Sequence, residues 1–254
     1  MANHPTTVSS LLDCSQVHPN WRNSLSRALD HVETGYLTSL LDDDQWLPGN
    51  NNLFAAFRDD PQNCRYLLFG ESPYPRKESA NGIAFYDAAV ERLWSDKGLS
   101  KSINRATSLR NILKAMLLAQ GLIKPDIQGK ITQPMIAAID KSTLIDSIHE
   151  LFSSLQQKGF LMMNATPVLH PQRKPQHEAR FWLEFNNRLL QQMANTLPQK
   201  PKLVLWGKIA QQIEQYPIAQ QFPHLICEHP YNISFITQPE MQTLFSELKL
   251  LDKH

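Results

Sequence analysis

Hydrophobic positions along the chain fall into two recurring patterns. Short apolar runs without helical period stand at residues 65–70 (RYLLFG), 160–165 (FLMMNA), 203–207 (LVLWG) and 225–230 (LICEHP). Each is closed by Gly, Asn or Pro, which is the pattern of a strand buried on both faces. Elsewhere apolar residues recur every three or four positions. Trp21, Leu25, Leu29, Val32 and Leu37 predict one or two amphipathic helices over 21–41. A helix is predicted over 108–118, with Thr107 or Ser108 as N-cap and Gly121 as the stop. Others are predicted over 142–157, 178–197, 208–215 and 240–250, with a short one over 53–57. Residues 42–52, 125–134 and 170–177 read as loops, and 90–99 as an amphipathic or irregular insertion.

Strands alternating with helices predict an α/β fold: one domain with a central, mostly parallel four-stranded sheet flanked by helices on both faces. Residues 1–46 read as an N-terminal helical segment packed on a domain spanning 47–254, and residues 1–20 as a loosely held start. The chain has 254 residues, 42% of them hydrophobic, enough for a substantial core.

A formal net charge of +1 excludes a global field of the kind that marks a basic nucleic-acid binder, and leaves only local clusters. Cys14, Cys64 and Cys227 lie far apart, with no CxxC and no metal-ligand spacing. That favours a reducing cytosol over a disulfide framework, and predicts no metal and no cofactor. The start, Met1 to Pro5, does not read as a signal peptide, and no apolar run approaches a membrane span. The expectation is a cytoplasmic monomer.

The chemistry is concentrated at the carboxyl ends of the predicted strands, where ligands bind in open α/β sheets. The first strand runs into Gly70-Glu71-Ser72-Pro73-Tyr74-Pro75, which holds Glu71 and Ser72 on stiff backbone at the lip of a pocket. The second ends at Asn164, whose amide can read the polar edge of a base or satisfy a local turn. The fourth ends at His229. A carboxylate, an amide and an imidazole, with no nucleophile–base pair, suit hydrolysis of a bond whose leaving group is a planar anion. Phe85 and Tyr86 end a small apolar stretch, as core or as a stacking edge.

The order of these motifs resembles the uracil-DNA glycosylase superfamily, closest to its family-1 branch. The family's Gly-Gln-Asp-Pro-Tyr-His is similar to Gly70 through Pro75, and its Gly-Leu-Ala-Phe-Ser to Gly82-Ile83-Ala84-Phe85-Tyr86. Ser-Leu-x-Asn-Ile-x-Lys is matched by Ser108 through Lys114, and Leu-Leu-Asn by Met162-Met163-Asn164. Leu-Trp-Gly-x-x-Ala is matched by Leu205 through Ala210. The wedge loop, His-Pro-Ser-Pro-Leu-Ser, resembles His229-Pro230-Tyr231-Asn232-Ile233-Ser234. The resemblance implies base flipping out of DNA and hydrolysis of the N-glycosidic bond, most simply of uracil. It implies Glu71, Ser72 and His229 as catalytic residues and Tyr74, Phe85 and Asn164 as base-binding residues. Ser108, Pro230, Ile233 and Ser234 are implied as DNA contacts, with Ile233 as the wedge.

The departures are as informative. Ser72 stands where family 1 has its water-activating Asp. Glu71 is similar to the Glu of the Gly-Glu-x-Pro-Gly motif in the iron–sulfur branches, but three scattered cysteines argue against a cluster. Pro75 replaces a His, Tyr231 and Asn232 replace the wedge loop's Ser and second Pro, and the Pro-rich loop before Ser108 is missing. Three functions follow: a glycosylase for uracil; one for another modified pyrimidine, such as a bulky phage base, in antiviral defence; and a non-catalytic DNA-binding relative. DNA affinity would come from a local surface, with Arg105, Arg110, Lys114, His170, Arg173, Lys174 and His177 as candidates.

Overall fold

The computed structural model describes residues 14–253. The first thirteen residues, including most of the loosely held start and the stretch that does not read as a signal peptide, lie outside the described residues.

The four apolar runs are four strands: β1 (Tyr66–Gly70), β4 (Phe160–Asn164), β5 (Lys202–Trp206) and β6 (His224–Cys227). Between β1 and β4 lies a small antiparallel hairpin, β2 (Trp94–Ser95) with β3 (Gly98–Leu99), in the stretch read as an insertion. The main sheet has the order β4-β1-β5-β6 and is parallel throughout. Tyr66 pairs with Phe160 on one side and Lys202 on the other, so β1 is central.

Side chains alternate across the pleat, as period two requires. Leu68, Met162, Val204 and Leu225 enter one core layer, and Leu67, Phe69, Leu161, Met163, Leu203 and Leu205 the other. Helices cover both faces. On the first lie α4 (Thr107–Ala119), α6 (Ile148–Gln157) and α9 (Pro239–Leu248), preceded by the short α3 (Lys101–Arg105) and α5 (Gln133–Ala137). On the second lie α1 (Pro19–Leu29), α2 (Thr34–Leu41), α7 (Pro175–Thr196) and α8 (Lys208–Glu214).

Several predicted boundaries move. Neither Thr107 nor Ser108 caps α4: α3 runs almost directly into it, Ala106 stands at the cap without a side-chain hydrogen bond, and Ser108 lies in the first turn. The helix predicted over 142–157 begins only at Ile148. Ser147 and Glu150 form a reciprocal capping box there, and Ile145 N–H instead pairs with Leu251 O at 3.0 Å. The loop over 125–134 gives way to α5 at Gln133, and His177 lies inside α7 rather than in the loop before it. The short helix at 53–57 resolves into 3-10 turns at Asn50–Asn52 and Ala55–Phe57.

Candidate active site

Pairing between β1 and β4 continues past the strand ends. Ala165 N–H donates to Gly70 O at 2.9 Å and Thr166 N–H to Glu71 O at 3.0 Å. The backbone that carries Glu71 is therefore fixed, while its side chain is exposed. Gly70 opposes Asn164 in register. A Cβ on Gly70 would lie 2.5 Å from Asn164 Oδ1 and 2.8 Å from Ala84 Cβ, so only glycine leaves room for the amide. Asn164 itself is buried.

The end of β5 and the segment after β6 complete the arrangement; β6 ends at Cys227, so His229 lies two residues beyond the strand rather than at its end. β5 ends at Trp206, and Gly207 turns the chain with φ 66°. A Cβ on Gly207 would lie 2.7 Å from His229 Cβ, so this glycine makes the space that His229 occupies. Phe85 holds a positive φ of 64°, a conformation that costs a non-glycine residue about 1–2 kcal/mol. Its ring packs edge-on against Trp206 at 4.9 Å and stands 6.1 Å from the His229 ring. Tyr74 Oη donates to Phe85 O at 3.4 Å. Burial, reinforced by the Asp87 charge, pushes the Tyr74 phenol up to about 12, so it remains a neutral donor at physiological pH.

Glu71, Phe85, Trp206 and His229 thus line one crevice of about 370 Å³, together with Lys208 and Tyr231. Tyr231 N–H donates to His229 Nδ1 at 3.1 Å. That bond makes Nδ1 an acceptor and leaves the proton on Nε2, the tautomer that can donate into the crevice. Burial pushes the His229 imidazole below its ordinary pKa, against the opposing pull of the Glu71 charge. The ring is neutral at neutral pH.

The segment after β6 is braced from two sides. Asn111 of α4, buried, brings Nδ2 to 2.8 Å from Pro230 O, with Tyr231 O and Asn232 O at 3.4 and 3.3 Å. Glu228 accepts from Ser234 Oγ at 2.7 Å and Gln238 Nε2 at 2.6 Å, and the Ser234 bond chiefly holds its carboxyl below the usual range. Pro230 is buried under this loop, whereas Ile233 is exposed at its tip.

This chain belongs to the uracil DNA glycosylase superfamily. The family's model matches residues 57–249, which hold all four sheet strands and every residue of the crevice. The chain is 22% identical over 235 residues to the uracil-DNA glycosylase of Corynebacterium glutamicum, covering 90% of this chain and 85% of that one. It is 25% identical over 240 residues to the uracil-DNA glycosylase of varicella-zoster virus, covering 89% of this chain and 66% of that protein. The crystal structure of wild-type UNG from Nitratifractor salsuginis superposes with a TM-score of 0.91 at 34% identity, over 100% of both chains. Membership assigns the enzyme class: a DNA glycosylase, a hydrolase of N-glycosidic bonds that acts in base excision.

Within this frame the candidate residues sort by position. Glu71, Phe85 and His229 line the crevice, whereas Tyr74, Asn164 and the half-buried Ser72 do not: Tyr74 donates to the Phe85 carbonyl, and Asn164 pairs in register with Gly70, which does line it. Ser108, Pro230, Ile233 and Ser234 do not line the crevice; they lie on α4 and the braced loop. Several suggested cations serve the fold instead. Lys114 Nζ donates to Ile131 O at 2.7 Å, His170 is buried against Asp43 at 2.8 Å, and Arg173 pairs with buried Glu178 at 3.3 Å. Arg110 Nη1 donates to Asn104 O at 2.9 Å. Arg105, Lys174 and His177 are exposed. The bracing by Asn111 was not legible from spacing, because it joins α4 to a loop 119 positions further along the chain. Among the described residues no group of His, Cys, Asp and Glu is placed to hold a metal, and no helix is long and apolar enough to cross a membrane.

Proposed function

We propose that the protein removes uracil from DNA by flipping the nucleotide into the crevice and hydrolysing its glycosidic bond, with Glu71 supplying the carboxylate. The observation that carries this reading is the convergence of Glu71, Phe85 and a neutral, Nε2-protonated His229 on one crevice. The bond breaks to a planar base anion and a cationic sugar, so a carboxylate on the sugar side and a fixed donor at the base oxygen lower the barrier from both ends. Phe85 offers its ring to the base, and buried Asn164 offers an amide that pairs with a pyrimidine edge. Ser72 is neutral, so it orients water through its hydroxyl while the charge comes from Glu71. Tyr74, which donates to the Phe85 carbonyl, favours a base without a large 5-substituent.

DNA is held by the surface around the crevice. Ile233 enters the stack in place of the flipped base, while Ser108, the Pro230 backbone turn and Ser234 meet the phosphates beside it. The Ser234 hydroxyl must exchange its bond to Glu228 for one to a phosphate oxygen, because a phosphate accepts only.

The test is base release, measured by mass spectrometry, from DNAs carrying uracil, thymine, 5-hydroxymethylcytosine and its glucosylated form. Uracil release lowered roughly 100-fold or more by Glu71→Ala, and strongly by Asn164→Ala, is the expected result. Release of the glucosylated base alone would assign a hypermodified cytosine and a defence role. Binding without release of any base would assign a non-catalytic relative.

A further inference from the structure

Large apolar side chains in solvent mark contact surfaces when they are grouped. Tyr231 is 68% exposed and Ile233 74% exposed, two residues apart on the loop after β6. The fold imposes this exposure. Asn111 holds the carbonyls of 230–232, Glu228 holds Ser234 and Gln238, and Phe235 is fully buried against Trp206 at 5.1 Å. The loop is pinned on both sides of the two exposed residues, so neither can fold back into the core. They also face differently: Tyr231 lines the crevice, and Ile233 does not. The Tyr231 N–H bonded to His229 Nδ1 keeps the tyrosine at the crevice mouth.

We infer that Tyr231 is a base-stacking residue, which packs its ring on the base next to the flipped nucleotide on the same strand. The inference rests on the glycosylase reading for the path of the DNA. A tyrosine ring presents a flat apolar face at low conformational cost, and stacking on it tolerates any base because every base has a π-face. Such a platform holds the neighbouring nucleotide when there is no opposite strand to hold it. It therefore suits single-stranded DNA as well as duplex.

The experiment uses the full chain and an oligonucleotide with a tetrahydrofuran abasic analogue beside one 5-iodocytosine, in single-stranded and duplex form. Binding is followed by fluorescence anisotropy across a salt series, and photo-crosslinks are mapped by mass spectrometry. The expected results are a crosslink at Tyr231 and binding of Tyr231→Ala weakened roughly 10-fold or more on single strands. The slope of log affinity against log salt stays unchanged, and Tyr231→Phe and Tyr231→Trp keep wild-type affinity. Three results would each overturn the inference: wild-type affinity in Tyr231→Ala, a Tyr231→Phe defect equal to that of Ala, or a slope reduced by about one, which marks a phosphate contact. Circular dichroism melts of the variants confirm folding. Because the abasic analogue is bound without any base release, a protein that binds in this way but excises nothing would fail the glycosylase reading and keep this one.

Discussion

At the scale of single residues, the crevice depends on small side chains as much as on reactive ones. Gly70→Ala places a methyl 2.5 Å from Asn164 Oδ1, so either the amide or the strand end must move. Overpacking of this kind costs about 1–3 kcal/mol, and a displacement near 1 Å at a reacting centre costs roughly 100-fold in rate. Gly70→Ala should therefore melt at lower temperature and lose most base release, which thermal unfolding and a glycosylase assay would show together. His229 titrates in a predictable direction. Its folded pKa lies below the unfolded value, so the stability it contributes is present above about pH 6.5 and is lost as pH falls towards the folded pKa. Glu71 opposes the shift, so Glu71→Gln should lower the His229 pKa further, read from its imidazole resonances in an NMR titration. Residue types at strand ends were readable in the sequence because a buried strand must stop at a turn. The tautomer of His229 was not, since it is set by a backbone N–H two residues away.

At the scale of elements, β1, β4 and β5 were legible because a strand covered on both faces needs an unbroken apolar run, as in LLFG and LVLW, whereas β6, read as buried on both faces, is an edge strand with Ile226 exposed. Helix starts were less legible. The helix predicted from Ser142 starts only at Ile148, because 142–143 form a turn, Leu144 and Ser147 sit in isolated bridges, and Ser147 with Glu150 forms the cap. The hairpin β2–β3 is too short to show a period. Two tertiary braces give element-scale predictions. Asn111→Ala removes the donor to the loop carbonyls and should cost about 1–3 kcal/mol. It should reduce base release from both single strands and duplex, because the brace holds the loop that carries Tyr231 as well as Ile233. The second brace joins α2 to α7. Glu178, fully buried, accepts from Tyr36 Oη and Arg173, and burial together with this carboxylate holds the Tyr36 phenol far above its usual pKa. Glu178→Ala leaves the Tyr36 hydroxyl without its acceptor and Arg173 with only Ser39 and the Tyr36 ring, and should destabilise the protein by about 3 kcal/mol in denaturant unfolding, with the crevice chemistry untouched in the remaining folded fraction.

At the scale of the whole molecule, a net charge of +1 and the internal use of Lys114, His170 and Arg173 leave few cations for DNA. Binding should show a shallow salt dependence. Lys208, exposed at the crevice, should account for about one unit of the slope, so Lys208→Ala is expected to reduce it by that amount. Composition alone made the absence of a strong global field readable, but not the division of charges between fold and surface. That division depends on partners that composition does not place, such as Asp43, 127 positions from His170, and the buried Glu178 beside Arg173.

The strand order carries a consequence for how the enzyme comes into being. The central strand is made first, but the last strand to leave the ribosome brings His229 and the loop with Tyr231 and Ile233. A nascent chain can collapse around β1, β4 and β5 and still have neither the imidazole nor the loop. On the proposed reading, base release waits for β6 and the segment after it, whatever has folded before them.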